Sequence, residues 1–245
     1  MKNAITSGKR SLPIGHWLQA TCCGVAILLS TTLAAQFAYV QDPDSFVYVR
    51  QGPAVYEARQ DSLRNGHLVY LFEKNGNWTN IDYWYRGIQK TGYVYSNRLK
   101  SIDDFPALKL VSNNGREVKL SGYGIEVFVS RQPFDPAKHR FSYHKTYKDV
   151  VTHIDGQIVW GTDGEKPKTQ YAGIRIQQNG QVYPLPAAAL RQLYEPSLEN
   201  TKAYYDSQTG TLFIQSMNSD GAGSYEVLWQ VQHGRYVQRL LVNGF

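Results

Sequence analysis

The strongest constraint on this chain is its punctuation: short apolar runs rich in Val, Ile, Tyr and Trp, each stopped by a turn signal before a helix could form. From Phe46 the text reads FVYV then RQGP, LVYLF then EKNGN, TNIDYWY then RGIQKTG, and YVY. Beyond residue 110 it continues as REVKLSGYG, IEVFVS, GQIVWGT, YAGIRIQQNGQVYPL, TLFIQSM, SYEVLWQV and YVQRLLV. The stops there are NNG and Xaa-Gly pairs at Asp155, Asp163, Asn179, Thr209, Asp220 and His233, which is the vocabulary of hairpins. The expected class is mainly all-β. One short helix is expected over 186–194, PAAALRQLY, with Pro186 at its start and Pro196 closing it. In SYEVLWQV, Tyr225, Val227, Trp229 and Val231 alternate with Glu226, Gln230 and Gln232, so one buried face is expected, with Leu228 as the exception.

Residues 1–35 differ in kind. Lys2, Lys9 and Arg10 precede the apolar run CCGVAILLSTTLAA, which has the order of a secretory signal cleaved after Ala35. A retained inner-membrane anchor is the competing reading, weakened by Thr31, Thr32 and Gln36. Cleavage would remove Cys22 and Cys23, leaving a cysteine-free protein in a compartment where disulfides are permitted, with no membrane insertion of the mature chain. It would also leave 23 basic against 20 acidic residues, a net charge of +3. That is too mild and too dispersed for nucleic-acid binding.

Val47, Val49, Arg50, Gly52 and Pro53, then Leu63, Gly66 and Val69, then Gly76, Asn77, Trp78 and Ile81, and finally Gly92, Tyr93, Val94 and Leu99 occur in an order that resembles the bacterial SH3-like (SH3b) domain. The resemblance covers about residues 40–102 and implies a small barrel, with a longer hairpin at DYWYRGIQKTG than is usual. It divides the chain into a signal at 1–35, the SH3-like domain at 40–102, a linker at 103–110 and an antiparallel β domain at 111–245. The C-terminal DGAGSY…W…GRY…R ending resembles only uncharacterised exported bacterial proteins. In VYVRQGP, Pro53 ends strand pairing and Gly52 permits the exit, so the element reads first as a structural turn with Arg50 packed over it.

Exported modules of this kind often accompany cysteine peptidases of the cell wall, but the attacking thiolate could come only from Cys22 or Cys23, which leave with the signal. The same argument removes a cysteine transpeptidase. His67, His139, His144, His153 and His233 lack any helix-borne zinc spacing, GAGSYE is not a nucleophile elbow, and Asp155, Asp163 and Asp220 lack the spacing of a calcium loop. No catalytic group, metal or cofactor is expected.

A surface suited to contact is expected instead. If Val47, Val49, Ile81 and Val94 point into a barrel, period-two alternation turns Tyr48, Trp84, Tyr93 and Tyr95 outward, with Arg86 beside them. These types dominate binding hot spots. The five residues are the candidate ligand-binding set; the equal alternative is a seam against the second domain. The expected function is a periplasmic, non-catalytic binding protein that recognises cell-wall peptide or a wall-associated protein. An immunity or inhibitor protein acting on an antibacterial effector or lytic enzyme is the competing class, and a hydrolase using His153, Asp155 and Asp163 the third.

Overall fold

Paired residues with positive φ mark where the chain reverses. Arg86–Gly87, Tyr123–Gly124, Asp155–Gly156, Asn179–Gly180 and His233–Gly234 all carry φ between 49° and 80°, the two-residue turn whose twist matches that of paired strands. Each joins antiparallel strands in a computed structural model that describes Met1 and residues 37–243. Apart from Met1, the expected leader with its cleavage point and both cysteines lies outside the described residues.

The strands are β1 (Phe37–Val40), β2 (Phe46–Arg50), β3 (Arg59–Arg64), β4 (Leu68–Asn75), β5 (Trp78–Tyr85), β6 (Ile88–Tyr95), β7 (Leu99–Ser101), β8 (Lys109–Asn113), β9 (Glu117–Gly122) and β10 (Ile125–Pro133). They continue as β11 (Phe141–Tyr143), β12 (Val151–Ile154), β13 (Gln157–Ile158), β14 (Thr169–Gln178), β15 (Gln181–Pro184), β16 (Thr201–Asp206), β17 (Thr211–Asn218), β18 (Tyr225–Gln232) and β19 (Arg235–Asn243). Four antiparallel sheets result: β3-β2-β6-β5-β4-β1-β7, β15-β14-β10-β9-β8, the small β11-β12-β13, and β16-β17-β18-β19. The protein is all-β. No helix among the described residues is long and apolar enough to cross a membrane.

The helix expected at 186–194 is replaced by a three-residue 3₁₀ turn, Ala187–Ala189. A nine-residue segment is too short to nucleate a helix without tertiary help, and the backbone here is used otherwise. Trp160 forms a parallel bridge with Leu193, and Gln192 takes a left-handed φ of 72° that no helix can accommodate.

The four-stranded sheet is the middle layer. One face, with Ile214, Tyr225, Val227, Trp229 and Val231, packs against Val118, Leu120, Val127, Val129, Ile174 and Ile176 of the five-stranded sheet. The other, with Tyr204, Phe213, Leu228, Leu240 and Val242, packs against Phe37, Leu68 and Tyr70 of the seven-stranded sheet and Ile102 of the 3₁₀ turn that follows it. The single buried face expected for β18 is therefore corrected to two: Leu228 is fully buried and Glu226 nearly so. Leu228 belongs to the second apolar face, and Glu226 is enclosed with it. A separate cluster of Val47, Val49, Leu63, Val69, Ile81 and Val94 fills the interior of the N-terminal sheet.

Of residues 103–110, read from the sequence as a linker, Phe105–Leu108 lie along the middle sheet, and Lys109 and Leu110 open β8 of the five-stranded sheet. Leu108 N donates to Ala203 O at 2.8 Å and Tyr205 N to Pro106 O at 3.0 Å. Phe105 stacks on Phe213 at 5.7 Å, and Tyr39 stacks on both at 6.3 and 5.9 Å. Residues 37–243 fall within one compact unit.

Candidate binding site

The β5–β6 ladder fixes where the five candidate residues stand. Trp84 opposes Gln89 next to the turn, whereas Trp78 opposes Tyr95 at the other end. Six residue steps along the strand separate the two positions, about 20 Å at the usual rise. Trp84 and Arg86 belong to the turn end; Tyr93, Tyr95 and, through the Arg50–Tyr93 pair, Tyr48 belong to the opposite end. The set is thus two places rather than one face.

At the turn end, Trp84 is half-buried and its indole N–H donates to the Leu241 carbonyl at 2.8 Å. β19 is the edge strand of the middle sheet, so this bond satisfies an edge carbonyl that would otherwise be left to water. The seam holds Trp84 in part, together with a Gln238 Nε2 bond to Gly66 O at 2.9 Å and a Tyr70 hydroxyl bond to Glu226 Oε1 at 3.1 Å. Arg86 sits in the turn itself with its guanidinium 5.3 Å from the Tyr85 ring.

At the opposite end the aromatics remain accessible. Tyr48 is exposed, with the Arg59 guanidinium 4.1 Å over its ring and Phe46 edge-on at 5.2 Å. Trp78 and Tyr95 meet edge-to-face at 5.4 Å, and Arg50 lies 5.9 Å over Trp78. Arg50 Nη1 also donates to Glu57 O at 2.7 Å. That bond, with Gln51 N to Ala58 O at 3.0 Å and Glu57 N to Ala54 O at 3.2 Å, ties down the 51–58 loop. The loop presents Val55 and Tyr56, which are 72% and 85% exposed. Arg50 therefore joins the loop to the Trp78–Tyr95 pair, a link that its sequence position beside Gly52–Pro53 signals only as a turn.

Several polar side chains of the C-terminal half make structural contacts, His139, Asp155 and Glu195 among them. His139 Nδ1 and Asp155 Oδ2 are 2.7 Å apart, with the imidazole stacked on Phe134 at 4.6 Å. The Arg140 amide, and then the His139 ring, hold the Asp155 carboxyl below its usual range. Glu195 accepts from Thr169 N at 3.1 Å and Thr169 Oγ1 at 2.8 Å, closing a loop. Among the described residues no group of three or more His, Cys, Asp or Glu is placed to hold a metal ion.

Sequence reasoning missed a second concavity, a cleft of 560 Å³ where Trp84 faces the β12–β13 hairpin, Trp160 and Arg239. Neither Trp160 nor Arg239 stands in a motif. The one available signal is a cation inside the apolar run YVQRLLV. No protein-family model, curated protein or solved structure matches this chain.

Proposed function

We propose that this chain is an exported, non-catalytic binding protein of the cell envelope whose SH3-like part recognises cell-wall peptide or a wall-associated protein. The observation that carries the reading is the aromatic and arginine surface at the open end of β2 and β6. Tyr48, Tyr95 and Trp78 are held by ring and guanidinium contacts within their own sheet, and Tyr56 projects from a loop pinned by Arg50. Rigid aromatics flanked by arginine give large contact area at low entropic cost, the composition of binding hot spots. Trp84 contributes to the seam rather than to this surface.

The test is retention on purified peptidoglycan beside affinity capture from an envelope extract, using wild type and a Tyr48→Ala/Tyr56→Ala variant. Both substitutions fall on exposed side chains, so the variant should melt within a few degrees of wild type while losing at least about 1–2 kcal/mol of binding. Equal retention of both proteins on sacculi, or no retention of either with no captured partner, would defeat the proposal. Capture of a lytic enzyme or antibacterial effector without sacculus binding would move the protein to the inhibitor class.

A further inference from the structure

The cleft at the other end of β5 has the makings of a separate site. Trp84, Trp160, Ile158 and Leu241 line it together with the polar side chains of Arg239, Gln192, Gln157 and His153. Its volume lies in the range of small-molecule pockets, which are largely apolar with a few convergent polar groups.

Arg239 is the telling residue. Its Nη1 donates to Ala189 O and to Arg191 O, both at 2.9 Å, and its Nη2 to Gln192 Oε1 at 3.4 Å. These acceptors are neutral; they orient the guanidinium without balancing its charge. Among the described residues no carboxylate lies within ion-pairing distance of Arg239. A guanidinium has five N–H donors, and three are accounted for, so two are left for a guest. Burial pushes the Arg239 pKa down; the Tyr236 and Tyr225 hydroxyls oppose that fall and the Arg191 cation adds to it. An oriented, partly desolvated arginine without a counterion favours an anion strongly, and above all a carboxylate that can meet the fork with two oxygens.

The apolar side of the cleft sets the rest of the guest. The Trp84 N–H is spent on Leu241 O, which leaves its ring to offer surface. Ile158 is 61% exposed beside the cleft although it lies on a strand. Gln192 carries the unfavourable φ of 72° and is braced by its side-chain bond to Gln157 Oε1 at 3.0 Å. Strained backbone of this kind gathers at ligand-holding positions.

We propose that the cleft binds a small aromatic carboxylate, with the carboxylate on the free donors of Arg239 and the flat apolar body against Trp84 and Ile158. The probe is 2-naphthoate, titrated calorimetrically into the protein at neutral pH and low salt, with 2-naphthamide as its uncharged counterpart. The carboxylate should bind at least about tenfold tighter than the amide, as a charge-assisted pair requires. Ile158→Glu places an anion at the cleft on an exposed position, so it should abolish naphthoate binding with the melting temperature unchanged. Arg239→Met should erase the preference for carboxylate over amide; because it also removes bonds to backbone carbonyls, Ile158→Glu is the variant that remains readable if Arg239→Met does not fold. Equal affinity for acid and amide in wild type, no naphthoate binding at millimolar concentration, or unchanged binding in Ile158→Glu would each overturn the proposal.

Discussion

Phe213→Ala should unfold the whole protein early, not one half of it. Phe213 is 1% exposed on β17, on the face of the middle sheet turned toward the N-terminal strands. Its ring stacks on Phe105 and Tyr39 at 5.7 and 5.9 Å, beside Phe37, Leu68, Tyr70 and Ile102. Truncating a fully buried aromatic costs about 3–5 kcal/mol, the upper end applying where rigid neighbours cannot collapse into the hole. Strands on both sides hold this site, so the upper half of that range is expected. For a unit of this size each kcal/mol shifts the melting temperature by about 2–4 °C, so a fall of roughly 8–20 °C should appear in a calorimetric scan. The transition should stay single, with near- and far-ultraviolet dichroism lost together, because the cavity lies between the layers. If the variant melts in two steps, one unmoved and one early, the two β bodies fold independently and the seam is a weak contact. A loss below about 1 kcal/mol would refute the burial argument itself.

Two further outcomes follow from single positions. Burial in the seam raises the Glu226 carboxyl above its ordinary value, the Tyr70 hydroxyl and then Lys202 offsetting only part of the rise. Its contribution to stability is therefore complete below the unfolded pKa and lost as pH rises through the folded one. Glu226→Gln keeps an acceptor for Tyr70 and should lessen the decline in the urea midpoint as the pH is raised from about 4, the ordinary carboxyl value; a slope equal to that of wild type would exclude the residue as its source. Gly161 has φ 109°, and a Cβ there would press into the Tyr194 carbonyl. Gly161→Ala should thus cost about 3 kcal/mol or more by denaturant titration, and a neutral result would mean the 160–162 backbone sits elsewhere.

Local chemistry carried the strands and turns into the sequence but left out most of what joins them. Asp155–Gly156, Asn179–Gly180 and His233–Gly234 are hairpins because two left-handed residues in a row suit almost no other sequence. Period two correctly turns Trp84 away from Val47, Val49 and Ile81, yet it cannot say what lies outside. The answer is a carbonyl 157 residues later in the chain. The helix expected at 186–194 failed for a related reason: its residues have adequate propensity, but backbone pairing between Trp160 and the 192–194 segment takes their hydrogen bonds. Arg239 was illegible because its acceptors include main-chain carbonyls, which have no residue signature.

The misread strand is the most instructive of these, because its irregularity held the architecture. A sheet with one wet face writes a clean alternation, and β18 almost does so, with Glu226, Gln230 and Gln232 on the side opposite Tyr225, Val227, Trp229 and Val231. Leu228 breaks it. A leucine among polar residues on a strand can be an isolated exposed apolar group, which is common and meaningless, or part of a second packed face. The neighbours decide between them: register places Leu228 against Leu240 and Gln215, and Glu226 against Val242 and Met217. Leu240 and Val242 extend the apolar patch that Leu228 begins, and their alternation leaves Leu241 to point the other way. Leu241 is the residue that lines the cleft and whose carbonyl receives the Trp84 indole. The same three residues of β19 thus close the seam and help shape the cleft beside it, so the cleft can exist only in the assembled protein.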